Sequence, residues 1–395
     1  MPNVFDYLEW RGDLTFEEAP LNEVDNLIFC LLSYVDLDGI VPAYPNQGRM
    51  TLRYAAAEYF FTHGDTLPDR PLGLIVPADI LTLFRRVGHC RRFRDLELTG
   101  YTNTVCEVRE MQFSALTIRL PGEQMFVAFR GTDDTIVGWR EDFNLSHMEE
   151  VPSQRMAADY LNALDMTPDT ILFVGGHSKG GNLAVWGAVH ADEEVRRRIS
   201  QVYSNDGPGF SEGTVASEAY RTLSDRIRVI IPEDSLVGLL LEHDKHYTVV
   251  KSNRKGVYQH DGLSWEVLGS EFIRAESLSQ RGVQHDTVVR ERINAMTRDE
   301  RKKFTQIMFS ILESTGARTL TELHQGGPKT VITMIKAFRD LSEEDQDTAA
   351  YLWDKLAGGR SVEVGKGKNP DPPTKKKTVK RKGRIRISFF PIFLP

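Results

Sequence analysis

The sequence predicts an α/β chain: a mostly parallel sheet flanked by helices, with extra helices toward the C-terminal end. Three observations carry that expectation. Short runs of β-forming residues alternate with helical periodicities between about residues 111 and 268. A glycine cluster around one serine joins the apolar run 171–174 to a helical pattern. From about residue 285 the periodicity is helical throughout.

In chain order, Val24, Leu27, Ile28, Leu31, Leu32 and Val35 form one helical stripe, with Asn22 placed to cap it. Residues 51–61 and 78–87 are helical, separated by Pro68, Pro71, Gly73 and Pro77. Residues 111–119 and 124–130 flank Pro121-Gly122-Glu123 as a hairpin. Ser153 is placed to cap a helix carrying Met156, Ala157, Tyr160, Leu161 and Leu164, with Pro168 beyond its end. Strands are expected at 171–174, 200–204, 227–231 and 247–252, and a partner for the last at 265–268; a helix is expected from Ser235. Phe304, Ile307, Met308, Ile311 and Leu312 mark one C-terminal helix, and 329–339 and 344–356 two more. The expected division is a main α/β domain at 1–284, a helical extension packed on it at 285–359, and a disordered basic tail at 360–395.

Composition narrows the function classes. At 395 residues the chain can bury a large core, and 41% hydrophobic with 27% charged residues is ordinary for a globular protein. Cys30, Cys90 and Cys106 show no metal-ligand spacing and are too few for a disulfide scaffold. The N-terminus has neither a basic region nor an apolar core, and no stretch approaches the ~20 apolar residues that span a bilayer. The expectation is a cytoplasmic protein. Its net charge of −7 is uneven: residues 366–386 hold ten Lys/Arg against Asp371, so +9 lies there and the remainder carries −16. With the apolar end 387–395, that tail suits an anionic membrane surface, which would make the protein peripheral. Nucleic acid ranks well behind, and a solvated end without a partner is the plainest reading.

Gly176-His177-Ser178-Lys179-Gly180 matches G-x-S-x-G, the nucleophile elbow of the α/β-hydrolase fold. A serine on a sharp strand-to-helix turn needs neighbours without side chains, which Gly176 and Gly180 supply. The plain alternative is a surface serine in a glycine-rich connection. A catalytic serine needs a base, a carboxylate that orients the base, and donors for an oxyanion. In this fold the acid and then the histidine follow the serine in the chain. Asp234, in the loop after strand 227–231, is placed where that acid belongs, with Glu233 its rival. His260 is the preferred base and His243 the runner-up; His246 and His285 are the other downstream histidines. Thr132 follows the strand 126–129, so its backbone N–H and that of Lys179 are the candidate oxyanion donors.

Phe129-Arg130-Gly131-Thr132, Trp139 with Asp142, and Gly176-His177-Ser178-Lys179-Gly180-Gly181 together resemble the class 3 (fungal-type) lipases. The resemblance is closer to a bacterial branch of hydrolases, the Mbeg-like proteins. It extends to Asp6-Tyr7-Leu8-Glu9-Trp10-Arg11-Gly12-Asp13-Leu14-Thr15-Phe16, to Asp234-Ser235-Leu236-Val237-Gly238, and to Gln259-His260-Asp261 with Ser264-Trp265, covering roughly residues 1–315. It implies an esterase or lipase acting on a small-molecule or lipid ester, with Ser178 as nucleophile, Asp234 as acid, His260 as base, Thr132 completing the oxyanion hole, and no metal or cofactor. A catalytically inactive binding protein of the same fold is the alternative. Lys179 stands where those lipases usually have leucine, and Ser204-Asn205-Asp206-Gly207-Pro208-Gly209 follows their glycine-proline strand end only loosely. Lys179 therefore either favours an anionic substrate or lies on the solvent side of its helix.

Overall fold

Two asparagines begin the first two helices. Asn3 caps α1 (Val4–Arg11) and Asn22 caps α2 (Glu23–Leu32). In each, the side chain accepts backbone N–H groups of the first turn while an aspartate three residues on accepts the cap's own N–H. The computed structural model describes residues 1–44, 48–64, 77, 79–242 and 246–357; the expected disordered tail lies outside them.

The short edge strand β1 (Met50–Thr51) leads into α3 (Leu52–His63), and α4 (Asp79–His89) follows. Next come β2 (Glu97–Cys106), a strand not expected from the sequence, then β3 (Met111–Leu120) and β4 (Gln124–Phe129). The β3–β4 hairpin turns where Pro121-Gly122-Glu123 predicts it, with Leu120 opposite Gln124 and positive φ at Gly122 and Glu123. After β4 run α5 (Ile136–Asn144), α6 (Pro152–Asn162), β5 (Ile171–His177), α7 (Lys179–His190), α8 (Glu193–Arg198) and β6 (Ile199–Asn205). Two short helices, α9 (Glu212–Val215) and α10 (Glu218–Leu223), precede β7 (Ile227–Pro232) and β8 (Tyr247–Val250). The eight strands form one sheet in chain order; β1 to β4 pair antiparallel and β4 to β8 pair parallel. This is an α/β-hydrolase-type sheet.

Side-chain alternation divides β4 between two cores. Phe126 and Ala128 face the α1–α4 side, while Met125, Val127 and Phe129 face the α6–α7 side. Taking successive right-handed crossovers in one direction puts the connecting helices on a single face. The other face is left to the N-terminal helices, and the fully buried Leu27, Ile28, Phe29 and Leu31 of α2 cover it. A buried ion pair locks that layer: Arg92 grips both oxygens of Asp25 at 2.8 and 2.6 Å. The same guanidinium donates to the carbonyls of Leu14, Thr15, Ala19 and Pro20.

Two local expectations give way. The helix α6 starts at Pro152, so Ser153 is not its cap; its N–H instead donates to Glu141 Oε1 at 2.8 Å. No helix starts at Ser235, because that residue turns back to bind the end of β6. After β8, the small strands β9 (Val267–Leu268) and β10 (Glu271–Phe272) pair with each other. The C-terminal helices are α11 (Gln280–Asn294), α12 (Arg298–Glu313), α13 (Leu320–Gln325), α14 (Gly327–Asp340) and α15 (Glu343–Ala357). They join the main body around α5: Ile136 N–H donates to Arg318 O, Arg140 pairs with Glu313, and Phe143 meets Phe309 edge-on. Among the described residues no helix is long and apolar enough to cross a membrane.

Candidate active site

Ser178 stands between β5 and α7 with φ 59° and ψ −135°, a backbone region that non-glycine residues rarely adopt. Its neighbours explain how the turn closes. A Cβ on Gly176 would lie 2.0 Å from Gly180 O, and one on Gly180 would lie 2.1 Å from Phe129 O. Both glycines are therefore required by close backbone approach. Ser178 N–H is held by Asn205 O at 3.0 Å, which ties the elbow to the end of β6.

The carboxylate facing His260 comes from the residue after that same strand. His260 Nδ1 lies 2.6 Å from Asp206 Oδ2. Asp206 is fully buried, and its other oxygen accepts the hydroxyl of Ser235 and the N–H of Gly238 at 3.1 Å. This corrects the expectation for Asp234. Its carboxylate is instead engaged by Ser279 Oγ, by Gly256 N–H at 2.8 Å and by Gln259 Nε2 at 3.4 Å. Asp234 thus braces the loop that carries His260, and the Asp-Ser-Leu-Val-Gly stretch serves the site through Ser235 and Gly238. His260 closes a 3₁₀ turn, Gly256–His260. Trp265 Nε1 pins it by donating to Gln259 O at 2.9 Å. His243 lies outside the described residues, and His285 sits in α11.

His177, just before the serine, connects the elbow to His260. Its Nε2 is 2.7 Å from His260 O, and its Nδ1 is 3.2 Å from Tyr34 Oη. A carbonyl can only accept, so Nε2 carries the proton and Nδ1 accepts from the tyrosine. Burial, reinforced by the nearby His260, lowers His177 to about 3, so the ring is neutral near pH 7. Its ring centroid lies 4.6 Å from that of the His260 imidazole. Tyr34 follows α2, so the N-terminal layer reaches the back of the site.

On the opposite side, Thr132 Oγ1 lies 2.6 Å from Asp142 Oδ2. Burial raises the Asp142 carboxyl to about 6, against the opposing pull of Lys179 and of the Thr132 hydrogen bond. Arg130 forms an ion pair with Asp133 at 3.1 Å. Lys179 follows neither alternative raised by its position. Its side chain is 1% exposed and runs inward, with Nζ 2.9 Å from Glu141 Oε2. Nζ also contacts Gln112 O at 2.9 Å and Gln112 Oε1 at 2.8 Å. All three ammonium protons have acceptors, so this charge is directed away from a substrate and from solvent. Among the described residues no cluster of His, Cys, Asp or Glu is arranged to hold a metal ion.

A family model described as Mbeg1-like matches residues 87–310, more than half of the chain, and the chain belongs to that family. No curated protein matches it. Among solved structures, the M37 lipase is similar at 18% identity and a TM-score of 0.34, covering 54% of this chain and 68% of the other. The native Rhizomucor miehei lipase propeptide complex is similar at 16% identity and a TM-score of 0.32, covering 51% and 67%.

Proposed function

We propose that this Mbeg1-like chain is a serine hydrolase that cleaves carboxylic esters through an acyl-enzyme. Ser178 is the nucleophile, His260 the base and Asp206 the carboxylate that orients it. The observation that carries the reading is the 2.6 Å contact between His260 Nδ1 and Asp206 Oδ2 in a loop packed against a strained serine elbow. With Nδ1–H donated to Asp206, His260 Nε2 is left as the basic nitrogen.

In the proposed reaction, Ser178 Oγ attacks the ester carbonyl while His260 Nε2 takes its proton. Asp206 then stabilises the imidazolium, and the backbone N–H groups of Lys179 and Thr132 receive the oxyanion. Asp142 serves that step indirectly, by holding the Thr132 side chain through its hydroxyl. The alcohol leaves with the proton from His260, and water releases the acid by the same steps in reverse. Because the Lys179 ammonium is used inside the protein, the reading carries no preference for an anionic acyl group.

Hydrolysis of p-nitrophenyl butyrate tests the assignment. Turnover should be lost in Ser178→Ala and His260→Ala and kept in His243→Ala. Loss in His243→Ala with turnover kept in His260→Ala would move the base. No turnover by the wild type on this or longer-chain esters would favour a non-catalytic binding protein of the same fold.

A further inference from the structure

Lys179 is an unusual residue to bury at the first position of a helix, where its charge opposes the helix dipole. Its acceptors show what the side chain joins. Glu141, fully buried, accepts Lys179 Nζ and Gln112 N–H on one oxygen and Ser153 N–H on the other. Glu141 is therefore a hub where β3, the start of α6 and the elbow meet. It also immediately precedes Asp142, whose carboxylate holds Thr132. The first turn of α5 is wedged in the same place: a Cβ on Gly138 would be 3.1 Å from Gln112 Oε1 and 3.2 Å from Thr132 Cγ2. A chain of direct contacts thus runs from Lys179 through Glu141 and α5 to Asp142 and Thr132.

We propose that the Lys179 side chain is a positioning residue, which sets the distance between the two oxyanion donors by tying the elbow to the helix that holds Thr132. This rests on the hydrolase reading above. The two donors belong to different elements, α7 and the loop after β4, and an oxyanion hole works only when both N–H groups aim at one point. The Lys179–Glu141 pair is a charged connection from α7 to α5, whose Asp142 in turn holds Thr132. The backbone N–H of residue 179 survives any substitution except proline, so side-chain variants separate positioning from donation.

The test compares wild type, Lys179→Met and the double variant K179M/E141Q on p-nitrophenyl butyrate, each at a temperature where circular dichroism shows it folded. The single variant leaves Glu141 buried without its partner and risks misfolding. The double variant removes both charges and keeps the question answerable. The oxyanion forms only in the transition state, so the loss should fall on kcat, by about 10- to 100-fold, with KM within about two-fold. Ser178 phosphonylation by a fluorophosphonate should slow in parallel. Wild-type kcat in either folded variant, or a change confined to KM, would overturn the proposal and leave Lys179 as a purely stabilising residue. Absence of both turnover and labelling in the wild type would instead overturn the hydrolase reading on which it rests.

Discussion

Asp206 and His260 meet at 2.6 Å although 54 residues separate them, one at the end of β6 and the other at the end of a 3₁₀ turn. Asp206 itself has φ 50°, a strained value that lets its carboxylate turn toward the histidine while its N–H binds Ile230 O. The strand end and the histidine loop are thereby joined at one carboxylate.

That arrangement separates the two aspartates by experiment. Asp206→Asn should lower kcat on an ester by about 10⁴-fold, since an amide cannot stabilise the imidazolium and can favour the wrong tautomer. Asp234→Asn should reduce kcat by no more than about ten-fold and lower the melting temperature, because it weakens the bracing by Ser279, Gly256 and Gln259. Steady-state kinetics with thermal melts measures both. A collapse of activity in Asp234→Asn with Asp206→Asn nearly unaffected would return the role to Asp234.

His177 gives the protein a pH-dependent contribution to stability. Its folded value of about 3 lies below the ordinary 6.5, so between these limits the unfolded chain binds a proton that the folded one does not. The contribution is fully present above pH 6.5 and is lost progressively as the pH falls toward 3. Urea unfolding between pH 6.5 and 4.5 should show stability falling less steeply in His177→Asn than in wild type, by up to about 1.4 kcal/mol per pH unit. Equal slopes would contradict the assignment of a buried neutral ring.

Arg92→Met leaves Asp25 buried among α1 and α2 without its cation and removes the donor to the carbonyls of Leu14, Thr15, Ala19 and Pro20. Unfolding free energy should drop by about 3–5 kcal/mol, read by urea titration. A change below about 1 kcal/mol would show that the N-terminal layer does not depend on this pair. The same packing predicts that deleting residues 1–86 yields insoluble or non-cooperatively folding protein, since α2 packs on β4 and β5 and supplies the core of that face.

What was legible in the sequence was local. The elbow glycines, the Asn22 cap and the β3–β4 turn each answer a steric or hydrogen-bonding demand within a few residues. The carboxylate that meets His260 was not local: Asp206 and Asp234 both stand at strand ends downstream of the serine, and only the fold decides which faces His260. Asp206 did leave a signal, an acid at a strand end followed by Gly207-Pro208-Gly209, a stretch that follows the lipases' glycine-proline strand end only loosely. The burial of Lys179 had no local signal, because its partner Glu141 lies 38 residues upstream. Ser235 shows the opposite failure. Its residue types permit a helix start, and the demand of Asp206 for donors overrides that propensity.

The central claim is that Ser178 is an activated nucleophile served by His260 and Asp206. Its most direct test is intact-mass spectrometry of the wild type after exposure to a fluorophosphonate, with the adduct located by peptide mapping. A single adduct on Ser178 is expected, absent in Ser178→Ala and formed far more slowly in Asp206→Asn. An unmodified wild type, or an adduct that persists in Ser178→Ala, would contradict it.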